Sequence, residues 1–273
     1  MPHFLKTLWR AMQKFNDDGG TAIASNVALS LLLSLFPFLM LVASLLRIWG
    51  DTALVDEVFN LVLGYWPADA ARPLAEQIKI IVNQRAVEFF SVSTFIGLFL
   101  ATNGIESARD GLNRAYKITE NRPFLWRRLQ SVLFVISGAF GLIIAAIILI
   151  GTPIIWAFLI ERMTFLENFS FTVGLVKYAV AISVLILTLI AFHQFLPNGR
   201  RPLREMAPGI ALTIIGMIGG SHLFAIYLQT IANYTALYAG LAGTMIAIVY
   251  LYAISALILF GAEFNSARAE LRS

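Results

Sequence analysis

The sequence predicts an all-helical membrane protein of six transmembrane spans with both termini in the cytoplasm. Three observations carry that expectation. Residues 206–262, 57 positions, contain no Asp, Glu, Lys or Arg, whereas a bilayer-spanning helix needs about 20 mostly apolar residues. The 273-residue chain is 59% hydrophobic and 13% charged, and a soluble domain of this size would need far more polar surface. Finally, the basic residues divide unevenly between the two sides that six spans define, fourteen against six, which places both ends of the chain inside.

Residues 1–20 form the first element. Phe4, Leu8, Met12 and Phe15 recur at helical spacing, with Lys6, Arg10 and Lys14 elsewhere. The pattern predicts a basic amphipathic helix on the cytoplasmic leaflet, not a cleaved leader. Asp17-Asp18-Gly19-Gly20 ends it. A six-span domain over 21–268 follows, then a short cytoplasmic tail, 269–273. The charge-poor runs 21–46, 89–105, 129–160 and 178–196 mark the first four spans, and the 57-residue run divides near Asn233-Tyr234-Thr235 into two more. The expected spans are about 24–47, 89–109, 130–157, 174–196, 207–230 and 239–262. Between the first two, residues 48–88 show two apolar helical periods around Gly64-Tyr65-Trp66-Pro67, read as short amphipathic helices at the outer face.

The net charge of +4 comes from residues flanking spans, where they meet anionic head groups. It implies membrane lipids as partners and no nucleic acid. The absence of cysteine excludes disulfides and thiol chemistry. His3, His193 and His222 are scattered, without metal-ligand spacing. No nucleotide-binding, zinc-protease or serine-hydrolase motif is present. No cofactor, metal or enzymatic activity is expected.

The candidate functional residues are polar groups within or beside spans. Asn26, Ser30 and Ser34 lie four apart in the first span, followed by Pro37; they either line a cavity beside a kink or bond to a neighbouring helix. Asn103, Glu106, Asp110 and Asn113 make one polar face at the end of the second span, with Arg109 and Arg114 close enough to pair with the acids. Ionisable groups at membrane depth mark pathways or proton relays, or pair structurally. His222 lies within span five. Glu263, the first charge after the long run, could meet a loop arginine such as Arg200 or Arg204. Gly216 and Gly220, and Ala239, Gly243 and Ala247, repeat at four-residue spacing. They suit close helix contacts within the bundle, or between two copies in a homodimer.

Four segments carry a family resemblance: Ala24-Ser25-Asn26-Val27-Ala28-Leu29 leading to Leu35-Phe36-Pro37; Leu112-Asn113-Arg114-Ala115-Tyr116 with Arg122-Pro123-Phe124 and Trp126-Arg127-Arg128; Phe195-Leu196-Pro197-Asn198 with Ala207-Pro208-Gly209; and Tyr238-Ala239-Gly240-Leu241 with Leu259-Phe260-Gly261-Ala262-Glu263-Phe264-Asn265. In this order the chain resembles the YihY/BrkB family of bacterial inner-membrane proteins over about residues 10–268. The resemblance implies a six-helix fold in the bacterial cytoplasmic membrane. Relatives have carried a ribonuclease BN label, which finds no acidic cluster suited to phosphodiester chemistry here. The leading expectation is a transporter or flippase for a lipid, a lipid-linked precursor or a small polar solute, with Asn26, Ser30, Ser34, Asn103, Glu106 and Asp110 along the route. The alternative is a scaffold for envelope assembly, which implies an assembly partner. A membrane-embedded enzyme ranks behind both.

Overall fold

The computed structural model describes residues 3–48, 92–163, 169–230 and 242–272. These contain seven α-helices and no strand: α1 (His3–Asp17), α2 (Gly20–Ile48), α3 (Val92–Ala115), α4 (Phe124–Arg162), α5 (Ser170–Phe195), α6 (Leu203–Thr230) and α7 (Ala242–Glu270). Among the described residues, three segments are long and apolar enough to cross a membrane, Phe124–Ala145, Leu203–Tyr227 and Met245–Glu270; Gly20–Ser34 and Ile182–Phe195 are shorter apolar stretches. The expected amphipathic helices within 48–88 and the turn at Asn233-Tyr234-Thr235 lie outside the described residues.

The chain ends each helix by local chemistry. Gly19 adopts a positive φ of 68°, and the Asp18 and Gly19 amides donate to the Lys14 and Asn16 carbonyls, closing α1. A side chain at Gly20 would strike the Phe15 ring, so α2 can start immediately. α3 ends in a Schellman motif: the Ile118 amide donates to the Asn113 carbonyl and Lys117 to Arg114. Lys117 occupies the left-handed position, φ 54°, where glycine is usual. α2 runs through Pro37 without ending, and Pro37 is buried.

Several helices outrun their expected spans, α4 at both ends. α3 continues to Ala115 and α7 to Glu270, although the sequence turns polar at Glu106 and Glu263. These polar residues are satisfied by packing: Arg109, Asn113, Glu263, Asn265 and Ser266 are all buried, and buried polar groups require partners.

The centre is built from small residues. Ala24, Val27, Ala108, Leu112, Ala115, Leu196, Leu259 and Ala262 cluster with Tyr116. A Cβ on Gly104 would lie 2.9 Å from Leu31, and one on Gly111 2.8 Å from Leu259. The tightest crossing joins α6 and α7, where a Cβ on Gly209 would overlap the Gly261 carbonyl and one on Gly261 would overlap the Thr213 hydroxyl. Gly216 meets Leu257 on the same seam, Gly220 touches it more loosely, and Gly219 is open. The GxxxG spacing is thus used inside the chain. Outward-facing Leu29, Leu33, Leu187, Ile215, Ile218 and Leu223 are exposed, as suits helices solvated by lipid tails.

The amphipathic first helix does more than lie on a surface. Thr7, Ala11 and Lys14 are buried, and Phe4 and Phe15 pack on Phe264 and Phe260 of α7, ring centroids 5.6 and 5.9 Å apart. Trp9 and Met12 remain exposed, 65% and 61%.

Candidate functional site

The start of α6 and the ends of α3, α5 and α7 meet at one end of the bundle, together with α1 and the start of α4, and the polar side chains gather there. Between α3 and α4, Arg109 is fully buried. Its Nη1 lies 2.6 Å from Glu106 Oε2, and its Nη2 donates to Ser131 Oγ at 2.9 Å and, at 3.3 Å, to the Arg127 carbonyl. Ser131 donates to Glu106 Oε1 at 2.6 Å. A guanidinium taken out of water needs such a set of partners. Glu106 keeps 20% side-chain exposure. Asn103 and Asp110 are exposed on either side of it, and Asn103 Oδ1 accepts from Arg128, whose guanidinium stacks 3.7 Å from the Phe99 ring centroid.

The strip continues onto α2. Ser107 donates to Ser30 Oγ at 2.8 Å, and Ser30 donates to Asn26 Oδ1 at 3.4 Å. Asn26 is exposed. Ser34 is buried and accepts from the Gly104 amide at 3.0 Å while donating to the Ser30 carbonyl, so it holds α2 to α3. Of the four residues expected to share the α3 face, Asn103, Glu106 and Asp110 form the open strip. Asn113 turns inward instead.

Asn113 belongs to a clasp between the loops at 116–123 and 196–202. It donates to Glu120 Oε2 at 2.9 Å and accepts from the Asn198 amide at 2.9 Å. Arg122 grips Glu120 with both ends of its guanidinium, at 2.7 and 2.6 Å, and also donates to the Leu196 carbonyl at 2.6 Å. Gln130 donates to the Phe195 carbonyl at 2.6 Å, so the open end of α5 is capped by side chains. Burial alone would raise the Glu120 carboxyl, but the bonds from Arg122 and Asn113 outweigh it and hold its pKa at about 2.

Beneath the clasp, the Tyr116 hydroxyl lies 2.6 Å from His193 Nδ1, and the Arg201 guanidinium sits 4.1 Å over the Tyr116 ring. Asn265 donates to the Met206 carbonyl at 3.0 Å and accepts from the Gly209 amide at 2.7 Å, and its Nδ2 is 3.4 Å from the Tyr116 hydroxyl. Burial pushes the phenol up to about 12. One carboxamide thereby ties α3, α6 and α7 together.

Glu263 is buried and pairs with the first helix rather than with Arg200 or Arg204. Lys14 Nζ lies 3.9 Å from its carboxylate and donates to Ser266 and Glu270, each at 2.7 Å. His222 is exposed on α6, apart from these clusters. Among the described residues, no three His, Cys, Asp or Glu side chains lie close enough to hold a metal. Sequence reasoning missed Tyr116, Ser131, Asn265 and the burial of Lys14. The runs Leu112–Tyr116 and Glu263–Asn265 carried the first and third as motif letters, but without a physical role.

A family model described as virulence factor BrkB matches residues 11–273. Among curated proteins, the chain is 28% identical to the ribonuclease-like protein YfkH of Bacillus subtilis (strain 168), covering 96% of this chain and 94% of that one. It is 24% identical to a UPF0761 membrane protein of Aggregatibacter aphrophilus (strain NJ8700), covering 96% and 91%, and 26% identical to one of Vibrio parahaemolyticus serotype O3:K6, covering 95% and 81%. No solved structure matches it.

Proposed function

Since the chain belongs to the virulence factor BrkB family, we propose that it is a multi-pass protein of the bacterial inner membrane that moves an amphipathic, lipid-like solute along the outer face of α3. The observation that carries this is the open polar strip. Asn103, Glu106 and Asp110 leave part or all of their side chains accessible, on the helix that also exposes Phe99 and Leu100. An ionisable group exposed beside apolar surface is costly in a bilayer, which favours a use for it. Asn26 and Ser30 extend the strip across to α2. A headgroup can pass along such a strip while its chains stay in lipid. If protons couple to this movement, Glu106 carries them, because its partner Arg109 is fixed by burial while the carboxylate is reached from outside.

In this reading the bundle has six spans, and the end that gathers the loops at 116–123 and 196–202 faces the cytoplasm, where its arginines meet the positive-inside rule. No catalytic step is invoked.

The test is transbilayer movement of a fluorescent anionic phospholipid in liposomes holding the purified full chain, wild type beside Glu106→Gln. Glutamine keeps the shape of the side chain and an acceptor for Ser131. Movement in the wild type that the substitution slows at least tenfold is expected. Movement unaffected by it would return Glu106 to structural pairing, and none in either protein would favour a scaffold role.

A further inference from the structure

A second feature at the same end of the bundle shares no residue with the α3 strip. A cleft of about 450 Å³ opens between α1, α6 and α7, a volume within the range of ligand pockets. The lining residues are Phe4 and Thr7 from α1; Pro208, Ala211, Leu212 and Ile215 from α6; Phe264 and Arg268 from α7; and Arg272 from the turn just past it. The chain directions order these residues by polarity. α6 runs away from the basic end, so Ile215 is its deepest contributor, and it is 68% exposed to the surroundings. α7 runs towards that end, so Arg268 lies outward of Phe264, with Arg272 in the turn beyond the helix end. The cleft is thus apolar at depth and cationic at its mouth.

Its charge is one-sided. Among the described residues, two arginines and no acidic residue line it. Arg268 Nη1 is buried without a hydrogen-bond partner among the described residues, which leaves a charged donor beside the cleft for an acceptor to meet. On α7 the neighbouring acid, Glu270, is directed to Lys14, Arg10 and Lys117 instead. Exposed Trp9 on α1 is of the type that sits at headgroup level.

We propose that this cleft holds one anionic phospholipid of the adjoining leaflet, its phosphate on Arg268 and Arg272 and an acyl chain along Ala211 and Ile215. The polarity gradient matches the orientation of such a lipid in the bilayer. A basic pocket between helices at this level selects anionic over zwitterionic headgroups. The lipid wedges α1 against α6 and α7, making the seat of the first helix sensitive to the lipids around it.

The experiment is native mass spectrometry of the full chain released from mixed micelles holding equal amounts of phosphatidylglycerol and phosphatidylcholine. The wild type should retain phosphatidylglycerol selectively. Replacing Arg268 and Arg272 with glutamine should reduce that retention about tenfold or more, and lysine at both positions should preserve most of it. Ala211→Trp fills the apolar part and should reduce retention with both arginines intact. Thermal unfolding of each variant reports whether it is folded. Equal retention of the two lipids by the wild type, or undiminished selectivity in the folded glutamine or tryptophan variants, overturns the proposal. The transport reading is tested by lipid movement with Glu106→Gln and this site by retention with the arginine and tryptophan variants, so failure of the one and failure of the other are distinguishable.

Discussion

Arg109, Lys117 and Glu120 show what single residues contribute. Arg109 is fully buried against Glu106 and Ser131. Arg109→Ala leaves a partly desolvated carboxylate facing a void, and should cost about 3 kcal/mol of stability in detergent, read as a fall in the unfolding midpoint. Lys117 holds a left-handed conformation that costs an L-residue about 1 kcal/mol. Lys117→Gly should therefore stabilise by roughly that amount, less the little that its exposed contact with Glu270 contributes. Glu120 carries the pH dependence of the loop clasp. Its folded pKa of about 2 lies below the ordinary 4.5, so its contribution is complete above about pH 4.5 and is lost as the pH falls towards 2. The unfolding midpoint should drop over that interval, and Glu120→Gln should flatten this part of the profile.

The seam between α6 and α7 depends on backbone approach. Gly261→Ala would drive a methyl group into Thr213 and the Gly209 backbone, so it should destabilise by at least 2 kcal/mol. Gly219→Ala, on α6 and facing open space, should be neutral or stabilising by about 0.5–1 kcal/mol through helix propensity. If both glycines respond alike, the two helices do not meet at Gly209 and Gly261. The contrast also shows what could be read in the sequence. The four-residue spacing announced close contacts on α6, but Gly209 and Gly261 lie 52 positions apart, and no local pattern pairs them. Helix existence was legible because apolar runs outlast any loop. Helix ends were less so: the second span was expected to end at 109 and the sixth just before Glu263, whereas partners from α4 and α1 let both helices continue. Lys117 hid the end of α3 by standing where glycine is expected. On the α3 face, spacing placed Asn103, Glu106 and Asp110 together, but could not foresee that Asn198 would draw Asn113 away.

At the scale of the whole chain, the loops at 116–123 and 196–202 are held together by Arg122, Asn113 and Asn198, so they must face the same compartment. The absence of cysteine makes this simple to examine with single reporters. Asn121→Cys and Arg200→Cys should both resist a membrane-impermeant maleimide in intact cells and react after permeabilisation. Labelling of one but not the other in intact cells would contradict the clasp, and labelling of both would reverse the proposed orientation. The same long-range economy governs the two ends of the chain. Lys14 finds Ser266 across 252 residues. At roughly 5–20 residues per second, a ribosome needs on the order of ten to fifty seconds to cover that interval. Throughout it the newborn first helix has no α7 to bury Lys14, and its apolar side must shelter on the bilayer surface. Residues of α7, made long after α1, thus complete the earlier helix, and a nascent chain halted before Glu263 would carry an α1 still parked on the membrane.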